Sequence, residues 1–379
     1  MSRTISTPDA DVLIVGDGPS ACVSALSLAK AGARVRMLAP GRPFNSAAHL
    51  GQCLPPAGMT WMRALELDGQ FRALDSLPIV SHRSVWGSKA LESREMIASA
   101  HGSSWVLDRD KFDQMLRDAA YAAGAGFIRG ELVSIERAGS VWSYSLHNGE
   151  KLETGRASFF LDATGRRSVA ARKMGARRMR ADRLVSVPMV VFSPTATDLD
   201  ATTLLEASKD GWFFSCRIGS HERLVSFYTD SDLLPSPLTE RKKKIESLMH
   251  QSEHLASILE QHAYTALDPS TVVPAHGSLL NTTVGAGWLA TGEAAMCHDP
   301  LSGDGLLGAM NTARHAALAL VASADGDLPA FSEYEGRIRE GFEQYKLSLY
   351  SYYAMESRWR AEAFWARRCW PDGIGEEYD

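Results

Sequence analysis

Val12-Leu-Ile-Val15-Gly16-Asp-Gly18-Pro19-Ser20-Ala21 is the stretch that decides the fold. Val12 to Val15 is a short continuous apolar run, the pattern of a strand buried on both faces in a parallel sheet. Ala21 to Ala31 then reads as an alanine-rich helix, Gly32 stops it, and Arg34 to Leu38 alternates as a second strand. This is a βαβ opening. A Gly-x-Gly-x-x-Ala run at the strand-to-helix junction is a form of the dinucleotide fingerprint. Gly16 permits the tight turn, and Gly18 lets the backbone approach a pyrophosphate. Pro19 and Ser20 open the helix, whose positive N-terminus receives the phosphates, and Ala21 lets helix and strand pack closely. The plain alternative is a glycine turn with no ligand. The acidic residue expected after the second strand is missing: Ala39-Pro40-Gly41-Arg42 stands there. Arg42 is a candidate contact to ribose or phosphate, or a solvated loop arginine.

Outward from this opening, Pro40 to Pro56 is rich in Gly, Pro and small polar residues and reads as loop. Helices are expected over Met59–Leu74, Val106–Ala123, Arg241–Gln261, Leu306–Ser323 and Phe331–Trp365. Strands are expected over Glu131–Glu136, Trp142–Leu146 and Ser158–Asp162. A β-rich block follows, with strands Val185–Phe192, Gly211–Arg217 and Arg223–Tyr228, and a short strand returns at Gly287–Thr291. Nucleotide-binding elements therefore recur at the N-terminus, near residue 160 and near residue 290, with a β block between the last two. The expected fold is mixed α/β. Residues 1–80, 100–180 and 275–325 are expected to form a discontinuous Rossmann-like nucleotide-binding domain, 81–99 and 181–274 an inserted β-sheet domain, and 326–379 a C-terminal helical segment.

Composition bounds the function. The 379 residues correspond to two or three domains at about 150 residues each. With 45% hydrophobic and 22% charged residues the chain is an ordinary globular protein, not a collagen or a disordered tail. A net charge of -5 argues against general nucleic-acid binding. No apolar run reaches the ~18–20 residues of a membrane span, and Met1 to Ala10 has no apolar signal core. Five cysteines without a C-x-x-C pair argue against a disulfide framework or a metal site. The expected location is the reduced cytoplasm.

Two further turns choose the cofactor. Asp162-Ala-Thr-Gly165-Arg-Arg-Ser168 ends a strand. Gly287-Trp-Leu-Ala-Thr-Gly292-Glu293-Ala-Ala leads into Asp299-Pro300-Leu-Ser-Gly303-Asp-Gly305. With the first turn, these resemble the flavoprotein monooxygenases of the p-hydroxybenzoate hydroxylase-like fold, a group that includes flavin-dependent halogenases. The resemblance implies FAD. It places the Asp162–Gly165 segment between the flavin and pyridine-nucleotide sides, and the Gly292 segment on the ribityl–pyrophosphate portion. Glu293 stands where the group has Asp. Pro300, Gly303 and Gly305 would face the isoalloxazine, where helix N–H groups stabilise negative charge on the reduced ring.

A narrower resemblance covers nearly the whole chain. Gly51-Gln-Cys-Leu-Pro-Pro56-Ala is similar to a G-E-S-L-P-P-A segment, with Gln52 and Cys53 departing. Leu107-Asp-Arg109-Asp-Lys-Phe-Asp-Gln-Met-Leu116, Asp210-Gly-Trp-Phe-Phe and Tyr352-Tyr-Ala-Met-Glu-Ser-Arg-Trp359 match further segments. These belong to the modification flavoproteins of tryptophylquinone biogenesis, the type that matures lysine oxidase and quinohemoprotein amine dehydrogenase. The resemblance implies an FAD-dependent monooxygenase that hydroxylates an aromatic ring through a flavin C4a-(hydro)peroxide, the target being a tryptophan in a partner polypeptide. O2 is then the co-substrate, and NADH, NADPH or reduced flavin from a separate reductase the electron donor. A small-molecule hydroxylase or halogenase, and a non-catalytic FAD-binding assembly protein, remain open.

Residue roles follow from the resemblance. Arg109 is expected on the FAD phosphate side, or as a surface residue pairing with Asp108 or Asp110. His298 and Asp299 are candidates for orienting substrate or managing protons, or for capping the next helix. Trp212, with Phe213, is a candidate aromatic wall for a planar substrate, or core. Lys89, in Trp86-Gly-Ser-Lys89, stands only roughly where a halogenase lysine would, and the W-x-W-x-I-P segment of halogenases is absent. Between Arg166 and Arg183 eight Arg/Lys accompany one acid, Asp182. This cluster suits an acidic partner or a nicotinamide-dinucleotide phosphate, or is a solvated face.

Overall fold

The computed structural model describes residues 8–39, 49–96, 99, 102–265, 268–368 and 377–378. Arg42 lies outside these residues. β1 (Ala10–Val15) pairs in parallel with β2 (Val35–Ala39) on one side and with the long strand Lys151–Asp162 on the other. That strand pairs in parallel with Trp288–Ala290. Val15 lies opposite Asp162, and Asp162 opposite Ala290. The carboxyl ends of three adjoining parallel strands therefore stop level, and all three glycine turns leave the same edge. Open α/β sheets bind ligands at such an edge.

Leu13, Ile14, Phe160, Leu161 and Leu289 are fully buried in this sheet. Burying each such side chain contributes about 1.5–3 kcal/mol. The helix α1 (Pro19–Lys30) packs on the helix Gly305–Ala324 through small residues, and Ser24 Oγ donates to the Ala313 carbonyl at 3.1 Å. A bulkier seam would push the two helix N-termini apart.

A seven-stranded sheet forms the second layer system. Its central strands are Leu184–Phe192, Glu222–Asp230, Gly211–Arg217 and Thr202–Ser208, and Ser81–Val85 and Glu92–Glu95 complete one side. Helices Leu238–Gln251 and Glu253–Gln261 cover one face, closing a core of Val187, Phe213, Phe227, Leu248 and Leu255. The 26-residue helix Ala330–Met355 runs back along the molecule and buries Tyr334, Ile338, Phe342, Tyr345, Leu349 and Tyr353. Among the described residues no helix is long and apolar enough to cross a membrane.

Several element boundaries differ from the sequence reading for local reasons. The helix expected from Val106 begins at Arg109, because Asp108 caps it by accepting from the Lys111 N–H; Ser104–Val106 is a strand instead. Part of the segment read as loop, Cys53–Leu54, joins that strand. The helix expected over Met59–Leu74 breaks into Ala57–Ala64 and Asp68–Arg72, with Glu66 in the left-handed region at φ 63°. The helix expected over Arg241–Gln261 starts at Leu238 and is interrupted at Ser252. Thr202–Ser208 was not expected as a strand; its Thr-Thr-Leu-Leu-Glu-Ala sequence has no clean alternation.

Candidate cofactor and active site

The first turn leaves β1 with Gly16 at φ +129°, where a side chain would collide with the Ala163 backbone. Gly18 has ordinary extended geometry, and a Cβ there would meet nothing within 4 Å. It opens α1 without any side-chain cap, so N–H groups of the first turn point into open space. Pro19 occupies the first helical turn, where it removes no hydrogen bond. Ser20 and Ala21 are buried; Ser20 faces Gly292, where an added Cβ would stand 2.6 Å from Ser20 Oγ. First and third turns thus meet at one point. Asp17 Oδ1 is buried without a partner, and burial raises the carboxyl's pKa against the pull of Arg117.

Asp162 ends its strand with its carboxylate turned into the chain. It is fully buried, and both carboxylate oxygens are spent inside the chain. Oδ1 accepts from the Thr164 N–H at 2.9 Å and the Thr164 hydroxyl at 2.7 Å, and Oδ2 accepts from the Ala171 N–H at 2.6 Å. The Asp162 side chain braces the loop that follows it. The braced loop presents Gly165, at φ +66°, toward Glu293, and carries Arg166.

Glu293 is the electrostatic centre. Arg166 Nε lies 3.3 Å from Glu293 Oε1, while the same guanidinium donates to the carbonyls of His276 at 2.8 Å and His298 at 3.3 Å. Burial opposes ionisation of Glu293, but Arg166 foremost, with His49, Arg178 and Arg109, outweighs it and holds its pKa below the usual value. Arg178 is buried and grips the Glu293 and Ala294 carbonyls at 2.9 Å each, together with the hydroxyls of Ser168 and Ser278. Gly292 sits at φ +60°, and its N–H donates to Thr312 Oγ1 at 2.9 Å. Arg109 pairs with Asp113 at 2.9 Å, not with Asp108 or Asp110, and donates to Gln52 Oε1. It also lies 3.2 Å from His49 Nδ1.

His298 is half-buried, stacked on the Tyr345 ring at 4.5 Å, with Nε2 buried and unpartnered. Burial pushes its pKa down to about 4, Glu293 and Arg166 acting in opposite senses, so the ring is neutral near pH 7. Asp299 is fully buried. Its Oδ1 caps the Pro300 turn by accepting from the Leu301 N–H at 2.8 Å. Its Oδ2 accepts from the Tyr353 hydroxyl at 2.7 Å, and its N–H donates to Tyr345 Oη at 2.7 Å. Burial, reinforced by Asp182, pushes its pKa up to about 7. The capping alternative therefore describes Asp299, which faces protein on both sides. Beyond it, Pro300 is exposed, Gly303 lies at φ +68°, and added Cβ atoms at Gly303 or Gly305 would meet nothing. The helix Gly305–Ala324 also begins without a side-chain cap.

Trp212 is 1% exposed and stacks on Tyr228 at 3.8 Å between Trp86 and Tyr353. It is packed core here, not an open wall. Lys89 is exposed on a turn. Tyr345, Tyr353, Thr312 and His49 carry no local signal in the sequence, and Arg166 and Arg178 of the basic cluster turn inward instead of joining its surface.

The residues fit FAD. Two uncapped helix N-termini and glycines with open Cβ directions suit a pyrophosphate and a flat ring. A narrow cleft beside the second of these helices is lined by Gly292, Glu293, His298, Gly305, Gly308 and Thr312.

Residues 9–330 match the family described as the FAD binding domain, and the chain belongs to that family. It is an FAD-dependent oxidoreductase. Among its relatives is LodB of Marinomonas mediterranea, assigned as an FAD-dependent oxidoreductase, 25% identical over 361 residues that cover 94% of this chain and 96% of LodB. The fold is that of CmlS, a flavin-dependent halogenase, with TM-score 0.80 and 22% identity over 94% of this chain and 68% of CmlS. It is also that of QhpG, a peptidyl tryptophan dihydroxylase essential for tryptophylquinone cofactor biogenesis, with TM-score 0.77 and 21% identity over 97% and 86%.

Proposed function

We propose that this oxidoreductase hydroxylates an aromatic ring, and that the ring is a tryptophan side chain of a partner polypeptide. FAD, when bound, supplies the redox chemistry that activates dioxygen, with NADH, NADPH or a separate flavin reductase as electron source. The chain's own part is placement and electrostatics. The N-termini of α1 and of the helix Gly305–Ala324, with Gly18, Gly303 and Gly305, would hold the pyrophosphate and the ring. Glu293 would accept from a ribityl hydroxyl, its charge kept by Arg166. His298, neutral at Nε2, would orient a polar group without adding charge. Asp299 would hold the Pro300 turn in place.

The observation that carries the polypeptide reading is the outward half of the basic cluster. Arg166 and Arg178 turn inward, whereas Arg167, Arg172 and Lys173 surround a shallow depression of about 490 Å³ with Arg177 exposed nearby. Among the described residues none of these four pairs with a carboxylate. An uncompensated cationic face on a chain of net charge -5 suits a docked acidic segment, and it lies next in sequence to Arg166, which touches Glu293. Incubation with the unmodified partner, FAD and a reductant should add oxygen to a tryptophan-containing peptide by mass spectrometry. No mass gain on any candidate partner would refute the substrate assignment.

The likeness to CmlS favours halogenation as a second reading. Bromide-dependent product that is lost in Lys89→Ala would select it.

A further inference from the structure

Cys53, which replaces the serine of the similar segments, has a neighbour that its sequence context does not suggest. It lies on the short strand Cys53–Leu54, while Cys216 lies on Gly211–Arg217 in the seven-stranded sheet. Both sulfurs converge on one acceptor, the Gly51 carbonyl oxygen, at 3.4 Å for Cys53 and 3.9 Å for Cys216. Cys216 lies close enough to Cys53 to help raise its thiol pKa. Gly51 itself is at φ +65°, and an added Cβ would stand 3.0 Å from Cys216 Sγ. Ile79, Val106, Phe214 and Leu224 enclose the pair. Both cysteines are free thiols in the structure.

We propose that Cys53 and Cys216 are a redox pair that closes to a disulfide under peroxide, clamping the 49–54 segment to the substrate sheet. The position matters because this segment carries His49 and Gln52, which meet Arg109 alongside Asp113. The oxidant is hydrogen peroxide, the ordinary two-electron reduction product of dioxygen. One sulfur, as thiolate, attacks a peroxide oxygen; the O–O bond breaks, and water leaves with the thiol proton, giving a sulfenic acid. The second sulfur displaces that hydroxyl; the S–O bond breaks, the S–S bond forms, and the second thiol proton leaves in another water. Two thiols lose two electrons in all, and one peroxide becomes two waters. The neighbouring Cys216 thiol and burial push the Cys53 thiol well above its usual pKa, so the pair stays reduced against mild oxidants and reacts more slowly than an exposed thiolate.

The test uses the FAD-loaded full chain, exposed to hydrogen peroxide, quenched, and alkylated in denaturant. Of five thiols, three should remain, and one cross-linked peptide should join Cys53 to Cys216, reversed by dithiothreitol. Cys53→Ser and Cys216→Ser should each yield no cross-link. The wild-type experiment decides even if a variant misfolds. Full alkylation of both cysteines while methionines oxidise, or a disulfide from either one to another cysteine, overturns the proposal.

Discussion

The hydroxyl of Tyr353 stands between Trp212 and Asp299, accepting from the indole N–H at 3.2 Å and donating to the carboxylate at 2.7 Å. One phenol thus joins the seven-stranded sheet, the helix Ala330–Met355 and the Pro300 turn. Its partner Asp299 has a folded pKa near 7, raised by burial far above the ordinary 3.8. A raised carboxyl pKa means the native state favours the protonated form. The associated stability is complete below about pH 4 and is lost as pH rises toward 7. Asp299→Asn should flatten the difference in stability across that window, by up to ~1.4 kcal/mol per pH unit. Urea unfolding of wild type and variant at pH 4, 5.5 and 7 checks this, and parallel pH profiles would refute it.

Two glycines of the cofactor edge should separate binding from folding. Gly18→Ala puts a methyl into open space at an ordinary φ of -77°. It should leave the melting temperature of the FAD-free protein unchanged, within about 0.5 kcal/mol, yet weaken FAD binding at least about tenfold. Gly292→Ala meets both a φ of +60° and Ser20 Oγ at 2.6 Å. It should cost about 1–3 kcal/mol in the FAD-free protein as well. Thermal melts and flavin-fluorescence titrations distinguish the two.

Glu293 should act through its charge. Its lowered pKa keeps it ionised above pH 4.5, and its contribution is lost as pH falls through the folded value. Glu293→Gln should weaken FAD binding about tenfold, while Glu293→Asp stays within about threefold. Equal losses in both variants would show that length, not charge, is what the site reads.

His298 should not titrate in the neutral range. With a pKa near 4, its ring remains neutral from pH 5 upward. The Cε1 proton resonance of this histidine, identified by its loss in His298→Gln, should be flat from pH 5.5 to 8. A sigmoidal shift centred near 6.5 would contradict the buried placement.

What was legible in the sequence was what is local. Gly16, Gly18 and Ala21 declare themselves because the turn, the helix start and the close packing are all set within a few residues. The Gly292 turn is legible for the same reason. The bracing by Asp162 is not legible, because an acid at a strand end has the same spelling whether it faces a ligand or braces its own loop. Only the positions of Thr164 and Ala171 decide. Arg178 was hidden by strand geometry: in Arg177-Arg178-Met179-Arg180 alternate residues face opposite ways, and the sequence does not say which arginine is inside. Tyr345 and Tyr353 reach Asp299 across 46 and 54 residues, a tertiary contact that no local pattern encodes. Trp212 was balanced between wall and core, and its neighbours Trp86 and Tyr353, far away in sequence, tip it to core.

The two tyrosines on the helix Ala330–Met355 also impose an order on biosynthesis. A ribosome delivers the three glycine turns before the helix Ala330–Met355, and the parallel strands that carry them can pair while that helix is still being made. Asp299 has its Leu301 cap at that stage but neither phenol. Only when Tyr345 and Tyr353 have cleared the exit tunnel is the turn beside Pro300 held from behind. The support behind the Pro300 turn is therefore completed late in synthesis, and a chain interrupted before that helix emerges carries all three glycine turns but leaves Asp299 without either phenol.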